Sequence, residues 1–200
     1  MKLRAVHSLA AAAVLLSLAA PALAQDDEEG RFSIGLGAGM VQTSGSTDPY
    51  FTANLRSRIG DREAGEERHG SVYGFLEPEV GYWSRSENGL DGNDTLLGVN
   101  VGGAVRLRSF EYFVAGGVGY HMLDRDVITG SGSNVQVRNV SDDNIGVNVQ
   151  FGFDVRVSEL LSVFGVGRFD LVQIDDNDST TASSPDEHQT KVYLGLRIHP

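Results

Sequence analysis

Residues 145–156 read IGVNVQFGFDVR, with apolar residues alternating with glycine or polar ones from end to end. Ile145, Val147, Val149, Phe151, Phe153 and Val155 fall on one side; Gly146, Asn148, Gln150, Gly152, Asp154 and Arg156 fall on the other. A period of two marks an extended strand with opposed faces. A tilted strand of about 9 to 11 residues crosses the hydrocarbon of a bilayer, so this one is long enough to span a membrane.

The rest of the chain repeats the pattern in seven more segments. In 31–42, Phe32, Ile34, Leu36, Ala38 and Met40 oppose Arg31, Ser33 and three glycines. In 50–59, Phe51, Ala53, Leu55 and Ile59 oppose Thr52, Asn54, Arg56 and Arg58. Segment 71–83 sets Val72, Leu76, Pro78, Val80 and Tyr82 against Tyr73, Phe75, Glu77, Glu79 and Trp83. Segment 95–107 sets Leu97, Val99, Val101, Val105 and Leu107 against Asn100, Gly102 and Arg106. In 110–122, Phe110, Tyr112, Val114, Val118, Tyr120 and Met122 oppose Glu111, three small residues and His121. In 160–172, Leu161, Val163, Phe169 and Leu171 oppose Ser162, Arg168 and Asp170; in 190–199, Val192, Leu194, Leu196 and Ile198 oppose Lys191, Tyr193, Arg197 and His199. Eight strands, an even number, meet the requirement of a closed antiparallel barrel.

The start of the chain sets the compartment. Lys2 and Arg4 precede an apolar run from Leu9 to Ala20, and Ala22-Leu23-Ala24 is a small-x-small cleavage site. This order is that of a secretory signal peptide over residues 1–24, leaving residues 25–200 as one domain. Its removal takes away two basic residues and no acid, so the mature chain has 14 basic and 27 acidic residues and a net charge of about −13. Nucleic acid is excluded as a partner on that charge. With no cysteine, neither a disulfide framework nor a thiolate metal site is available. No apolar run of 18 residues remains after the leader, so a membrane must be crossed by strands.

Connection lengths give a direction. The links at 108–109 and 157–159 are tight, whereas 84–94, 123–144 and 173–189 read as long polar loops. Outer-membrane barrels have short periplasmic turns and longer external loops, which puts both termini on the periplasmic side and makes 60–69 an elongated periplasmic turn. In that frame Phe32, Phe110, Tyr112 and Phe153 lie near periplasmic strand ends, and Phe51, Tyr82, Tyr120 and Phe169 near external ends. Two aromatic girdles, one at each interface, are expected of a membrane barrel.

A soluble barrel of the lipocalin kind alternates too, but with its apolar side chains inward around a ligand. The opposite assignment is favoured here, because the polar side carries glycine and bulky charge while the apolar side has almost none. The inward charged set is then Arg31, Arg56, Arg58, Glu77, Glu79, Arg106, Glu111, Asp154, Arg156, Arg168, Asp170, Lys191 and Arg197. Eight strands leave room only for side chains inside, and buried charges persist when paired. A salt-bridged lumen with a basic excess is expected, with Glu77 and Glu79 meeting Arg168 or Lys191 as a plug.

The sequence resembles the small eight-stranded outer-membrane β-barrels of Gram-negative bacteria, of the OmpX/Ail and OmpA transmembrane-domain type. FSIGLGAGMV, FLEPEVGYW, LLGVNVGGAVRL, YFVAGGVGYHM and the closing YLGLRIH carry the likeness. Such barrels usually end on an aromatic residue, whereas this chain ends His199-Pro200. The resemblance implies an outer-membrane location, a non-enzymatic role in envelope integrity or surface contact, and no cofactor. It also implies lipid and lipopolysaccharide as surroundings, assembly machinery and periplasmic chaperones as biogenesis partners, and a monomer.

Catalytic and metal patterns are weak. The mature histidines, His69, His121, His188 and His199, are isolated from one another in sequence; His69-Gly70-Ser71 alone has a His-x-Ser spacing, and it borders the elongated periplasmic turn. His121 and Asp124 lack a third group to complete a constellation. Asp176-Asn177-Asp178 with Glu187 imitates a calcium loop, but Thr181 stands where the turn needs glycine. Asp91, Asp94, Asp124, Asp126, Asp142, Asp143, Asp175, Asp176, Asp178, Asp186 and Glu187 read as a solvated acidic outer rim.

Overall fold

The alternating segments form eight strands in the computed structural model, which describes residues 32–43, 46–62, 70–87, 90–129, 136–173 and 187–200. They are β1 Phe32–Gln42, β2 Thr47–Arg62, β3 Ser71–Glu87, β4 Leu90–Leu107, β5 Phe110–Thr129, β6 Gln136–Arg156, β7 Leu161–Gln173 and β8 Glu187–Ile198. Each pairs antiparallel with its neighbours in sequence, and β1 pairs with β8, so the sheet closes on itself. Closure leaves no sheet edge around the barrel wall, the condition for strands in lipid. The proposed leader, Arg31 and most of the 60–69 and 173–189 links lie outside the described residues.

The apolar side of the deciding stretch faces outward. Ile145, Val147 and Val149 are 66%, 52% and 59% exposed, while Asn148 and Gln150 are 5% and 0% exposed. The same holds around the wall: Leu36, Phe51, Val101, Val114, Val163 and Leu194 are exposed, and Asn54, Glu77, Asn100, Glu111, Arg168 and Lys191 are buried. A belt of exposed aliphatic side chains around a polar interior fits a hydrocarbon solvent, and the lipocalin-like alternative, which needs the reverse, fails on this face.

Two of the expected long loops are largely strand. The 84–94 stretch continues β3 and β4 up to Glu87 and Leu90, which pair with each other, and 123–144 continues β5 and β6 up to Thr129 and Gln136. At 20 and 21 residues, β5 and β6 exceed a bilayer crossing by about ten residues each. Beyond the hydrocarbon both faces are wet, so the apolar alternation fades: Gln136, Arg138, Asn139 and Ser141 are all exposed. Lost alternation there signals water on both sides, not loss of the strand.

At the opposite end the β4–β5 and β6–β7 connections are tight. Arg108 and Ser109 join β4 to β5, with Arg108 in the left-handed region at φ 57, the conformation two-residue hairpins demand. The 157–160 turn is closed by Val157 N and Ser158 N donating to the Leu161 carbonyl, at 2.9 and 3.0 Å. Strands stop at these turns, whereas β5 and β6 run about ten residues past a bilayer crossing at the other end, the asymmetry of periplasmic and external ends.

On the outer wall, Phe151 and Phe153 of β6 face Gly167 and Gly165 of β7. A Cβ on Gly167 would meet the Phe151 ring at 2.8 Å, and one on Gly165 the Phe153 ring at 2.7 Å. The rings therefore lie sideways over bare backbone, covering glycines that would otherwise weaken the strand.

Candidate functional site

Among the described residues the interior concentrates polar and charged groups, and its side chains come from every second position of the strands. They fall into two connected groups. In the periplasmic half Glu77 is the hub: its Oε2 accepts from Arg56 Nε at 2.7 Å and Arg197 Nη2 at 3.2 Å, and its Oε1 from Gln150 at 3.1 Å. Arg56 also reaches Glu111 at 3.2 Å, which takes Arg106 at 3.1 Å, and Arg197 donates to Asp154 at 2.8 Å. These contacts tie β2, β3, β4, β5, β6 and β8 together through the lumen.

In the external half Arg168 of β7 is the hub. It pairs with Glu79 of β3 and, at 2.7 Å, with Asp170; Asp170 in turn holds Lys191 at 3.2 Å. Asn100 stitches the halves, its Nδ2 donating to Glu79 Oε2 at 3.0 Å and to the Glu77 carbonyl at 3.4 Å.

Aromatic rings pack the space between the charges. The Arg56 guanidinium sits 4.1 Å from the Phe75 and Phe113 ring centres, Arg197 lies 4.7 Å from Phe164, and Lys191 Nζ is 4.4 Å from Trp83 and 5.2 Å from Tyr50. Flat faces supply partial negative charge to cations at low desolvation cost. Sequence reading sets Tyr73, Phe75, Trp83 and Tyr193 on the inward side but misses Phe113 and Phe164, which are buried on the polar side of their strands, where parity alone places them, but whose apolar chemistry hides them in a search for charge.

The expected charge set is brought together with three differences. Glu79 meets Arg168, but Glu77 meets Arg56 and Arg197 instead of Arg168 or Lys191. The ladder explains it: Asn54 faces Glu79 and Ser57 faces Leu76, so Arg56 stands opposite Glu77. The expected basic excess is not in the buried set, which holds Arg56, Arg168, Lys191 and Arg197 against Asp48, Glu77, Glu79, Asp94, Glu111, Asp154 and Asp170 among the described residues. Arg58 and Arg106 are only half-buried and Arg156 is exposed, because all three lie at the periplasmic mouth.

The third difference concerns His121. Its Nδ1 lies 3.1 Å from Asp94 Oδ2, not at Asp124. Three residues along a strand reverse the side-chain direction, so Asp124 points away from a lumenal His121, while Asp94 on β4, facing Leu123 in the ladder, points in. Asp94 is thus a buried lumen group, 1% exposed, and not part of a solvated rim. A second pairing was invisible in sequence: Ser162 Oγ and His199 Nε2 approach to 2.9 Å at the periplasmic mouth.

The eight girdle candidates all take the outer face. Phe51 faces Tyr82 and Tyr112 faces Phe153 across their ladders; these four, Phe110, Tyr120 and Phe169 are exposed, and Phe32 is half-buried.

Among solved structures, Neisserial surface protein A is similar over 87% of this chain and 100% of its own, with 10% identity and a TM-score of 0.56. A major outer membrane protein from Thermus thermophilus gives 11% identity over 84% of this chain and 98% of its own, TM-score 0.51. The outer membrane enzyme PagL gives 15% identity over 84% and 99%, TM-score 0.50. These likenesses are of fold. None of the curated proteins compared matches the sequence. The family described as Outer membrane protein beta-barrel domain matches residues 10–197. With an exposed apolar wall, a polar interior and a closed eight-stranded sheet, the chain is an outer-membrane protein of a Gram-negative bacterium and belongs to the outer membrane protein beta-barrel domain family.

Proposed function

We propose that this protein is a non-enzymatic integral barrel whose lumen is plugged by its own ion pairs, and that it serves envelope integrity and surface contact through its acidic external segments. The observation that carries the reading is the Arg168–Glu79 pair, which joins β7 to β3 across the interior above the Arg56–Glu77–Arg197 set. Large, paired side chains at two levels occupy the width an eight-stranded barrel has to offer. Phe32, Phe110, Tyr112 and Phe153 at one end and Phe51, Tyr82, Tyr120 and Phe169 at the other serve as interface girdles in this reading. Lipid and lipopolysaccharide surround a monomer delivered by chaperones and the assembly machinery.

The two histidine pairs support a structural role. His121 is fully buried beside Asp94, and the imidazole of the Ser162–His199 pair has no acid bonded to Nδ1, so neither forms a nucleophile, base and orienter. The test is conductance in planar bilayers. The parent should give no steady open level, and Glu79→Ala, which removes the cross-lumen pair, should open one. A parent that conducts, or a Glu79→Ala variant indistinguishable from it, defeats the plug. Fractionation with a heat-modifiability gel checks that each variant has closed.

A further inference from the structure

The periplasmic mouth holds basic side chains that the lumen network does not use. Arg58 of β2 stacks on Tyr73, with Cζ 4.6 Å from the ring centre, and Arg156 is exposed as the last residue of β6. Neither makes an ion pair among the described residues, whereas neighbouring Arg106 is neutralised by Glu111 at 3.1 Å.

Between them lies His199. Arg156 faces Ser162 across the β6–β7 ladder, and Ser162 Oγ is 2.9 Å from His199 Nε2. The His199 backbone N–H is fixed on the Leu160 carbonyl at 2.9 Å. The residue is 7% exposed, and its Nδ1 has no hydrogen-bond partner. A buried polar atom left unbonded is costly, and here it sits in a cationic surrounding. Burial, then Arg156, with Arg197 and Arg58 adding to them and Asp154 opposing, hold the imidazole down to about 4, so His199 is neutral at pH 7. If the Ser162 hydroxyl donates to Nε2, the ring proton resides on Nδ1 as a free donor.

We propose that this mouth is an anion site, in which the Arg58 and Arg156 guanidiniums grip a phosphate or carboxylate group and His199 Nδ1–H donates to it. Guanidinium forks match the paired oxygens of such groups, and the neutral imidazole contributes a donor without a charge to desolvate. Two sources offer that chemistry. One is a free periplasmic anion. The other is the chain itself: Asp26, Asp27, Glu28 and Glu29 precede Phe32, the first residue of β1, which faces Ser57 next to Arg58. A tether of about three residues would keep carboxylates near the mouth at an effective concentration in the mM range.

The test uses the mature chain from Gln25, refolded in detergent micelles at low salt, with inorganic tripolyphosphate as the probe. Calorimetry gives the affinity, and NMR of the His199 ring gives its titration. Tripolyphosphate should bind, Arg58→Gln and Arg156→Gln should each weaken binding on the order of tenfold, and the His199 pKa should rise from about 4 when the anion is seated. A chain with Asp26→Asn, Asp27→Asn, Glu28→Gln and Glu29→Gln tells the sources apart: binding tighter than the parent's makes the chain's own carboxylates the resident ligand, and equal binding makes it a free anion. Arg156 is exposed, so its variant folds, and heat-modifiable migration verifies this for both. Absence of binding to parent and neutralised chain alike, binding indifferent to both arginine changes, or a His199 titration that stays put overturns the site.

Discussion

Phe151 of β6 stands directly opposite Gly167 of β7, and its ring occupies the space where a side chain at 167 would begin. The contact lies on the lipid-facing wall, so it is van der Waals packing with no water to expel. Gly167→Val should therefore lose about 1–3 kcal/mol of stability by overpacking against the ring. Most of that loss should vanish in a Phe151→Ala background, where the space is free. Urea unfolding of refolded protein in lipid vesicles, run as a double-mutant cycle, measures the coupling, and equal losses in both backgrounds would show that the ring and glycine are independent.

Glu77 compensates two buried guanidiniums at once, Arg56 at 2.7 Å and Arg197 at 3.2 Å. Removing it leaves Arg56 to Glu111 and Arg197 to Asp154, with each buried guanidinium short of one partner, so Glu77→Ala should cost about 3 kcal/mol. Replacing Glu77 and Asp154 with Leu and both arginines with Met should cost much less, since Glu111 keeps Arg106 at 3.1 Å and no charge is left naked. The same unfolding measurement decides it; a Glu77→Ala barrel as stable as the parent would mean that water reaches the arginines.

Asp94 holds the ring of His121 at 3.1 Å. With both residues essentially unexposed, Asp94→Ala leaves an imidazole nitrogen without its partner and should destabilise by about 1–3 kcal/mol. NMR of the His121 ring should show a second rotamer or faster exchange in the variant. An unchanged ring and unchanged stability would assign the orientation of His121 to Trp83 packing, 6.1 Å away, alone.

His199 makes stability depend on pH in a calculable direction. In the unfolded chain it takes up a proton near pH 6.5, whereas burial and Arg156 delay this to about 4 in the barrel. Between those values the unfolded state binds more protons, so stability falls as pH drops from 6.5 toward 4 and the contribution levels off below. His199→Gln, whose amide can still bond Ser162, should lose that part of the slope. The difference between variant and parent in unfolding midpoint from about pH 7 down to about pH 4 checks it, and parallel curves would contradict it.

Most of the wall was legible because a period of two survives wherever one face meets lipid. Ile145 to Arg156 announced both faces correctly, and all eight segments lie on strands. Legibility ended where the solvent became the same on both sides, which is why Gln136 to Asn144 reads as loop and is strand. Inside, parity showed which residues face inward, but not which meet: Glu77 finds Arg56 through the β2–β3 register, and His121 finds Asp94 through β4–β5. Phe113 and Phe164 were hidden by their chemistry, since an apolar residue on a polar face draws no notice until the guanidiniums of Arg56 and Arg197 are seen against it.

Glu77 and Glu79, either side of Pro78, answer to different guanidiniums on different walls. A strand sliding by one position would expose its greasy side chains to the wrong medium and be rejected at once. Sliding by two leaves the alternation untouched, so lipid cannot detect the mistake. The glutamates can: displaced by two places, one acid inherits the other's surroundings and the cations it leaves behind each lose a partner in the dark of the cylinder. The ion pairs thus act as a vernier, resolving the ambiguity that a two-residue repeat leaves behind.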